Sequence, residues 1–297
     1  MGTLENMKLL MKNFKNWLGI GLRIKFTQTK QLKVVLRSGE NYVLWRNYIL
    51  ALLPLVKKGM IANYAITCLL EDKIPFGHDF VIIHGWIGEN NKSNGDVIDV
   101  FLNEDYRFLD VKDRVVVDIG ANIGDSAIYF ALNGATKVIS LEPYPYSFAF
   151  AVKNVKENNL DERILLLNAG YGRDGTELVN ENLESNHSTA LEPVENGRRI
   201  IIYSLKTLVE KFKLDGAVLK MDCEGCEYDL CNEDEEVLRR FSKVQIEYHY
   251  GVKGLVEKLR KSGFNVKHTK SRRIFYPGAK KPMMLGYIYA IKQRQQD

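Results

Sequence analysis

The chain has little cysteine, no long uninterrupted apolar run, no internal repeat and no strong excess of charge of either sign. Its four cysteines among 297 residues, Cys68, Cys223, Cys226 and Cys231, are too few and too clustered for a disulfide framework. Reduced thiols in a cytoplasmic protein are the expectation. The longest apolar stretch, Tyr48 to Leu70, is interrupted by Pro54, Lys57, Lys58, Gly59 and Asn63. That argues against a membrane span and for two short amphipathic helices. Met1 to Lys15 carries scattered lysines but no long apolar run ending in a small-residue cleavage site, so no secretory signal is expected. Without repeats or low-complexity tracts, a solenoid or a long linker has no support. Lys and Arg number 42 against 37 Asp and Glu, a net charge of +5. So mild an excess permits an acidic partner without marking a nucleic-acid binder.

Hydrophobic residues make up 45% of the chain and charged residues 27%, the balance of a globular protein with a substantial core. The length suits one large α/β domain with an N-terminal extension. Composition shifts near residue 75, which predicts a helical extension over 1–75 and a main domain over 76–297. Before the shift, apolar residues recur at mixed three and four spacing from Tyr42 to Leu70. After it, Phe80 to Ile87 and Asp96 to Leu102 read as a strand pair joined by the polar turn Glu89 to Gly95.

From Arg114 the rhythm is strand then helix. Strands are predicted over 115–119, 137–141, 163–168, 217–221, 243–247, 265–268 and 284–291. Helices are predicted over 125–132, 146–158, 204–212 and 252–262. This alternation implies a mostly parallel, seven-stranded sheet with helices on both faces. Gly172 to Ile200, rich in Asn, Glu and Gly, interrupts the rhythm and reads as a long irregular insertion, a candidate substrate loop.

The strongest local signal is Val115-Val116-Val117-Asp118-Ile119-Gly120-Ala121-Asn122-Ile123-Gly124-Asp125-Ser126, an apolar strand entering a small-residue turn and then a helix. Gly120 and Gly124 let the backbone approach a ligand, and the helix start offers unpaired N–H groups. A dinucleotide fingerprint requires glycine where Asn122 stands, and Asp118 beside a pyrophosphate would repel it. A nucleotide cofactor with a cationic amino-acid end fits better. At the end of the next strand Val138-Ile139-Ser140-Leu141-Glu142-Pro143 places a carboxylate where ribose hydroxyls would be met.

These segments resemble the FkbM family of S-adenosylmethionine-dependent methyltransferases, through Val-Val-Asp-Ile-Gly-Ala-Asn-Ile-Gly-Asp-Ser at 116–126 and Leu-Glu-Pro at 141–143. Leu165 to Gly172 is similar to the family's strand ending in Asn-Ala, and Leu219 to Glu227 to its Lys-x-Asp-x-Glu-Gly-x-Glu block. The resemblance covers roughly residues 96–291 and implies a class I Rossmann-like fold with S-adenosyl-L-methionine as cofactor. It would place Asp118, Gly120, Ala121, Asn122 and Gly124 around the methionine end, Glu142 and Pro143 at the ribose, and Asn168 with Ala169 at the adenine. The implied reaction is O-methylation of a hydroxyl on a sugar, glycan or other small molecule.

Transfer to oxygen requires a group to take the hydroxyl proton. Asp222 and Glu224 follow one strand, while Glu247 and His249 share a side of its neighbour by the period-2 rule. These four are the catalytic candidates, with His249 as the general base. Hard oxygen ligands plus one imidazole would also suit Mg or Mn, but the site is read without a metal. Cys223-x-x-Cys226 with Cys231 does not read as a zinc site, since no second pair lies nearby. Lys267 to Arg273 with Lys280 and Lys281 predicts a basic hairpin, and Phe275 and Tyr276 would allow stacking on a base or sugar. The rival reading is a non-catalytic glycan- or nucleic-acid-binding module on the same fold. The N-terminal helices are left with two jobs, capping the site or building a homo-oligomer.

Overall fold

The computed structural model describes residues 3–27, 30–87, 96–183, 194–274 and 282–293. The chain forms two compact units, Met1–Glu104 and Asp105–Asp297, taken here separately; the composition shift near residue 75 falls inside the first.

The first unit contains α1 (Thr3–Asn13), α2 (Trp17–Phe26), β1 (Gln31–Val35), β2 (Asn41–Trp45), α3 (Arg46–Lys57), α4 (Ala62–Leu70), β3 (Lys73–Phe76), β4 (Asp79–Ile82) and α5 (Val97–Phe101). The stretch from 48 to 70 forms α3 and α4, two short helices as expected. Pro54 sits inside α3, where it removes one intrahelical hydrogen bond.

The helical N-terminal region is present as α1 to α4, with an antiparallel hairpin of β1 and β2 added to it. Two expectations fail in this unit. The strand near residue 80 pairs with Lys73–Phe76 rather than with 96–102, because Gly77, at φ +60, closes a two-residue turn. Residues 97–101 are helical, since the buried positions are Val97, Val100 and Phe101, a three-and-four spacing rather than an alternation. The turn expected over 89–95 lies outside the described residues.

The second unit begins with a 3-10 turn at Arg107–Leu109 and continues through β5 (Val115–Ile119), α6 (Asp125–Leu132), β6 (Lys137–Leu141), α7 (Pro145–Glu157), β7 (Ile164–Leu167), β8 (Ala169–Tyr171), β9 (Gly175–Val179), β10 (Arg198–Tyr203), α8 (Leu205–Phe212) and β11 (Ala217–Met221). After a 3-10 segment at Cys226–Asn232 come α9 (Glu235–Leu238), β12 (Phe241–Tyr248), α10 (Lys253–Lys261), β13 (Phe264–His268), β14 (Arg272–Ile274) and β15 (Met283–Lys292). The main sheet runs β13-β15-β12-β11-β5-β6-β7, with β14 pairing β15. The β12-β11-β5-β6-β7 part is parallel, and β15 is antiparallel to β12 and β13. This is the mostly parallel, Rossmann-like α/β order that the strand-helix rhythm predicts, and in it β15 is reversed.

The central strands read as near-continuous apolar runs because helices cover both faces. Every residue of β11 is buried. In α6, Asp125 to Ala131 are all buried, two polar residues of the first turn included. Ser204 caps α8 by accepting from the Thr207 amide at 3.1 Å. The 172–200 stretch is less irregular than its composition suggests. β9 and β10 from it join β8 in a separate three-stranded sheet; 184–193 lie outside the described residues. The basic residues expected at a hairpin tip are partly in strands, Arg272 and Arg273 pairing with Leu285 and Met284. Phe275, Tyr276, Lys280 and Lys281 lie outside the described residues. No described helix is long and apolar enough to cross a membrane.

Candidate active site

Parallel pairing brings five polar side chains into one row across the buried sheet. Ser140, Asp118, Lys220, Gln245 and Tyr289 are successive register partners on β6, β5, β11, β12 and β15. Asp118 accepts from the Ser126 and Ser140 hydroxyls at 2.8 and 3.1 Å and lies 3.1 Å from the Lys220 ammonium. Burial opposes the charge on Lys220, but Asp118 and Asp222 more than offset this and hold its pKa above the ordinary value. The ammonium also donates to the Gly120 carbonyl at 2.7 Å. Asp118 is fully buried, and its carboxylate is held by Ser126, Ser140 and Lys220 beneath the turn.

Above this row lies the glycine turn, with Gly120, Asn122 and Gly124 at φ of +82, +46 and +87. A Cβ on Gly120 would fall on the carbonyl oxygen of Asp222, so glycine is required where the turn crosses β11's extension. A Cβ on Gly124 would sit 3.1 Å from Ala151 Cα, which lets α6 and α7 approach closely. The amides of Gly120 and Ala121 both donate to the Leu141 carbonyl. Glu142 then closes the turn: one carboxylate oxygen accepts from the Asn122 amide and the other from the Tyr144 amide, each at 2.9 Å. Burial pushes the Glu142 carboxyl up to about 8 despite these two donors. The Asn168 side-chain amide donates to the Glu142 and Pro143 carbonyls at 2.9 and 3.0 Å, while Ala169 is buried at the start of β8.

The acidic loop after β11 begins where the Asp222 amide donates to the Ile119 carbonyl at 3.1 Å. Glu224 adopts φ +59 and Gly225 φ +130, a left-handed pair that turns the chain back. Glu227, fully buried, holds the loop to β12. Its carboxylate accepts from the Gly225 amide at 2.8 Å and from the His249 amide at 3.1 Å, and it lies 2.9 Å from His249 Nδ1. That leaves His249 Nε2 facing Glu224 at 3.3 Å and Asp222 at 3.9 Å. Burial alone would lower the His249 pKa, but the Glu227 hydrogen bond and the charges of Glu224, Glu227 and Asp222 raise it to about 9. The Tyr106 hydroxyl donates to the other Asp222 oxygen at 3.2 Å.

Asp222, Glu224 and His249, three of the four catalytic candidates, thus converge, their ligating atoms all within 4.8 Å of one another. Glu247, 9% exposed on β12 opposite Tyr287, stays outside the trio. Cys223 and Cys226 form a disulfide across the acidic loop, which overturns the expectation of reduced thiols there: three-residue spacing on a tight loop places their Cα atoms 5.5 Å apart. Cys68 and Cys231 are free.

Sequence reasoning placed Lys220 and Glu227 at the two ends of the family block without giving either a role, and it passed over Tyr106, which carried no signal.

Among known proteins, the chain is 26% identical over 216 residues to a tRNA(Phe) (4-demethylwyosine(37)-C(7)) aminocarboxypropyltransferase of Pyrococcus horikoshii, spanning 70% of this chain and 71% of that one. Solved structures similar to it include the tRNA m1G37 methyltransferase of M. jannaschii, at 13% identity and TM-score 0.42 over 75% of this chain and 55% of that one. Another is the precorrin-6y C5,15-methyltransferase of Geobacter metallireducens, at 15% identity and TM-score 0.38 over 69% and 97%. Residues 118–266, from the buried aspartate of β5 to the middle of β13, match the model of the methyltransferase FkbM domain, and the chain belongs to the FkbM methyltransferase family.

Proposed function

We propose that the second unit binds S-adenosylmethionine on the Gly120–Gly124 turn and transfers its methyl group to a hydroxyl of a sugar, glycan or other small molecule. The observation that carries this reading is the contact of Gly120 with the Asp222 carbonyl, which sets a group able to accept a proton beside the cofactor turn. Two features support the cofactor. Asn122 Oδ1 is buried without a hydrogen-bond partner among the described residues, a costly state that a ligand's donor relieves. Each Glu142 oxygen takes one backbone amide and retains a lone pair for a ribose hydroxyl.

When bound, the cofactor supplies an electrophilic methyl group on a sulfonium sulfur. The chain's own part is to place an acceptor oxygen in line and to remove its proton. Asp222 and Glu224 side chains are 15% and 13% exposed while that of His249 is 1% exposed, so an acceptor hydroxyl meets a carboxylate first. His249, clamped by Glu227, acts behind the two carboxylates and fixes their positions. On this reading the base is a carboxylate held by His249 rather than His249 itself.

The test is titration calorimetry of the full chain with S-adenosylmethionine, S-adenosylhomocysteine and NAD, followed by transfer of labelled methyl to a panel of hydroxylated acceptors. Binding of the first two without NAD, with transfer lost in Asp222→Asn, is the expected result. Equal binding of NAD, or full transfer by the variant, refutes the reading. An RNA nucleoside as acceptor is the second reading, supported by the tRNA-modifying relative and by exposed Lys267, Arg272 and Arg273. Labelled methyl entering RNA and no small acceptor would favour it.

A further inference from the structure

We propose that Asp222, Glu224 and His249 form a binding site for a small divalent cation of the Mn2+ class, which fixes the acceptor oxygen beside the cofactor turn. The role in positioning the acceptor rests on the proposed function; the ion site itself rests on geometry. Three ligands from two elements converge: Asp222 and Glu224 from the loop after β11, His249 from the end of β12. Their ligating atoms lie within 4.8 Å of one another. Ligands on one octahedral ion at about 2.1 Å are separated by about 3 Å when adjacent and about 4 Å when opposite, and the separations of His249 Nε2 from Glu224 and Asp222, 3.3 and 3.9 Å, fall in that range.

His249 is the independent sign. It is 1% exposed, and its Nε2 has no hydrogen-bond partner among the described residues although it points at two carboxylates. Its other nitrogen is held 2.9 Å from the buried Glu227 carboxylate. A carboxylate on Nδ1 fixes the tautomer that presents a lone pair at Nε2, the arrangement by which proteins orient a metal-bound imidazole. A nitrogen aimed at two anionic oxygens needs a positive charge between them, a proton in the ion-free chain and the cation when it is bound. Two carboxylates and one imidazole suit a borderline-hard ion such as Mn2+ better than Ca2+, which takes oxygen ligands alone, or Zn2+, which favours nitrogen and sulfur.

The remainder of the site fits an ion that keeps open positions. Asp222 and Glu224 retain partial exposure, leaving room for water or an acceptor oxygen. The Tyr106 hydroxyl holds the second Asp222 oxygen, and the left-handed conformation of Glu224 turns its side chain inward at a backbone cost. The Cys223–Cys226 disulfide limits the freedom of this same loop.

The 297-residue chain stripped with EDTA is titrated with Mn2+ in the absence of cofactor and acceptor, and the free ion is followed by its EPR signal. One Mn2+ per chain is expected. His249→Ala and the shape-preserving Glu224→Gln should each weaken binding at least tenfold, and Glu227→Gln by about 10-fold to 100-fold through loss of orientation. Asp79→Asn, on the β3–β4 hairpin, should bind as the native protein does. Calorimetric binding of S-adenosylhomocysteine in each variant confirms an intact fold. No saturable Mn2+ binding by native protein, or native affinity in both ligand variants, overturns the site. Stoichiometric Mn2+ binding with no acceptor methylated would leave the ion site standing and remove the proposed function instead.

Discussion

Replacing Gly120 with alanine tests the crossing on which the site is built. Two penalties combine at this position. The backbone sits at φ +82, where an L-residue costs roughly 1–2 kcal/mol. The added methyl would also fall on the Asp222 carbonyl oxygen and lie 2.8 Å from its carbon and 3.3 Å from Cys223 Cα, an overpacking that costs about 1–3 kcal/mol when only backbone can yield. The sum is roughly 2–5 kcal/mol, a large part of the ~5–15 kcal/mol that stabilises a typical domain. At about 2–4 °C per kcal/mol for a domain of this size, the melting temperature should fall by about 4–20 °C. Gly216→Ala separates the two penalties, since Gly216 has φ +66 with nothing within 4 Å of its virtual Cβ. It should show the backbone penalty alone. Thermal unfolding by circular dichroism and calorimetry with S-adenosylhomocysteine are the assays, with affinity lost only in Gly120→Ala. Equal melting temperatures and native affinity in both variants would refute the reasoning.

Three further outcomes are expected. Because the Glu142 carboxyl is pushed up to about 8, its ionised form, the better acceptor for ribose hydroxyls, grows as pH rises towards 8. Affinity for S-adenosylhomocysteine should therefore rise from pH 6.5 to 8.5 and be flat in Glu142→Gln. Stability should move oppositely: between the unfolded value near 4.5 and about 8 the folded chain holds a proton that the unfolded chain lacks, so stability falls as pH rises through this window, and Glu142→Gln removes the slope. Lys220→Met leaves Asp118 buried without its counter-charge and should cost about 3–5 kcal/mol in chemical denaturation; adding Asp118→Asn should recover part of the loss. Without reductant, DTNB should label Cys231 quickly and Cys68 only on unfolding; labelling of Cys223 or Cys226 before reduction would exclude the disulfide.

The sheet was legible because its strands are buried on both faces and so read as apolar runs, as Val115–Ile119 and Ala217–Met221 do. The turn was legible for a different reason: few residues other than glycine tolerate the backbone at 120 and 124. Illegible were features whose cause lies far away in sequence. Nothing local to Asp118 reveals that Lys220, 102 positions on, lies 3.1 Å from it. Glu227 stood in the family block without a role, since the His249 it clamps is 22 residues away at the end of β12. The N-terminal hairpins were lost because four-residue and five-residue strands offer too few alternations to outweigh the helical spacing beside them. The disulfide escaped because its two cysteines sit at variable places in an acidic motif.

The reversed strand β15 has a consequence for how the protein is made. It is translated after every other strand of its sheet, yet it pairs with both β12 and β13, and its Met284 amide donates to the His249 carbonyl at 2.8 Å. While it remains inside the ribosome, β12 and β13 present unpaired edges, which invite association with other chains. The residues of the glycine turn and of the acidic site are therefore all synthesised before β15, and the Met284 bond to the His249 carbonyl can form only once that last strand has emerged.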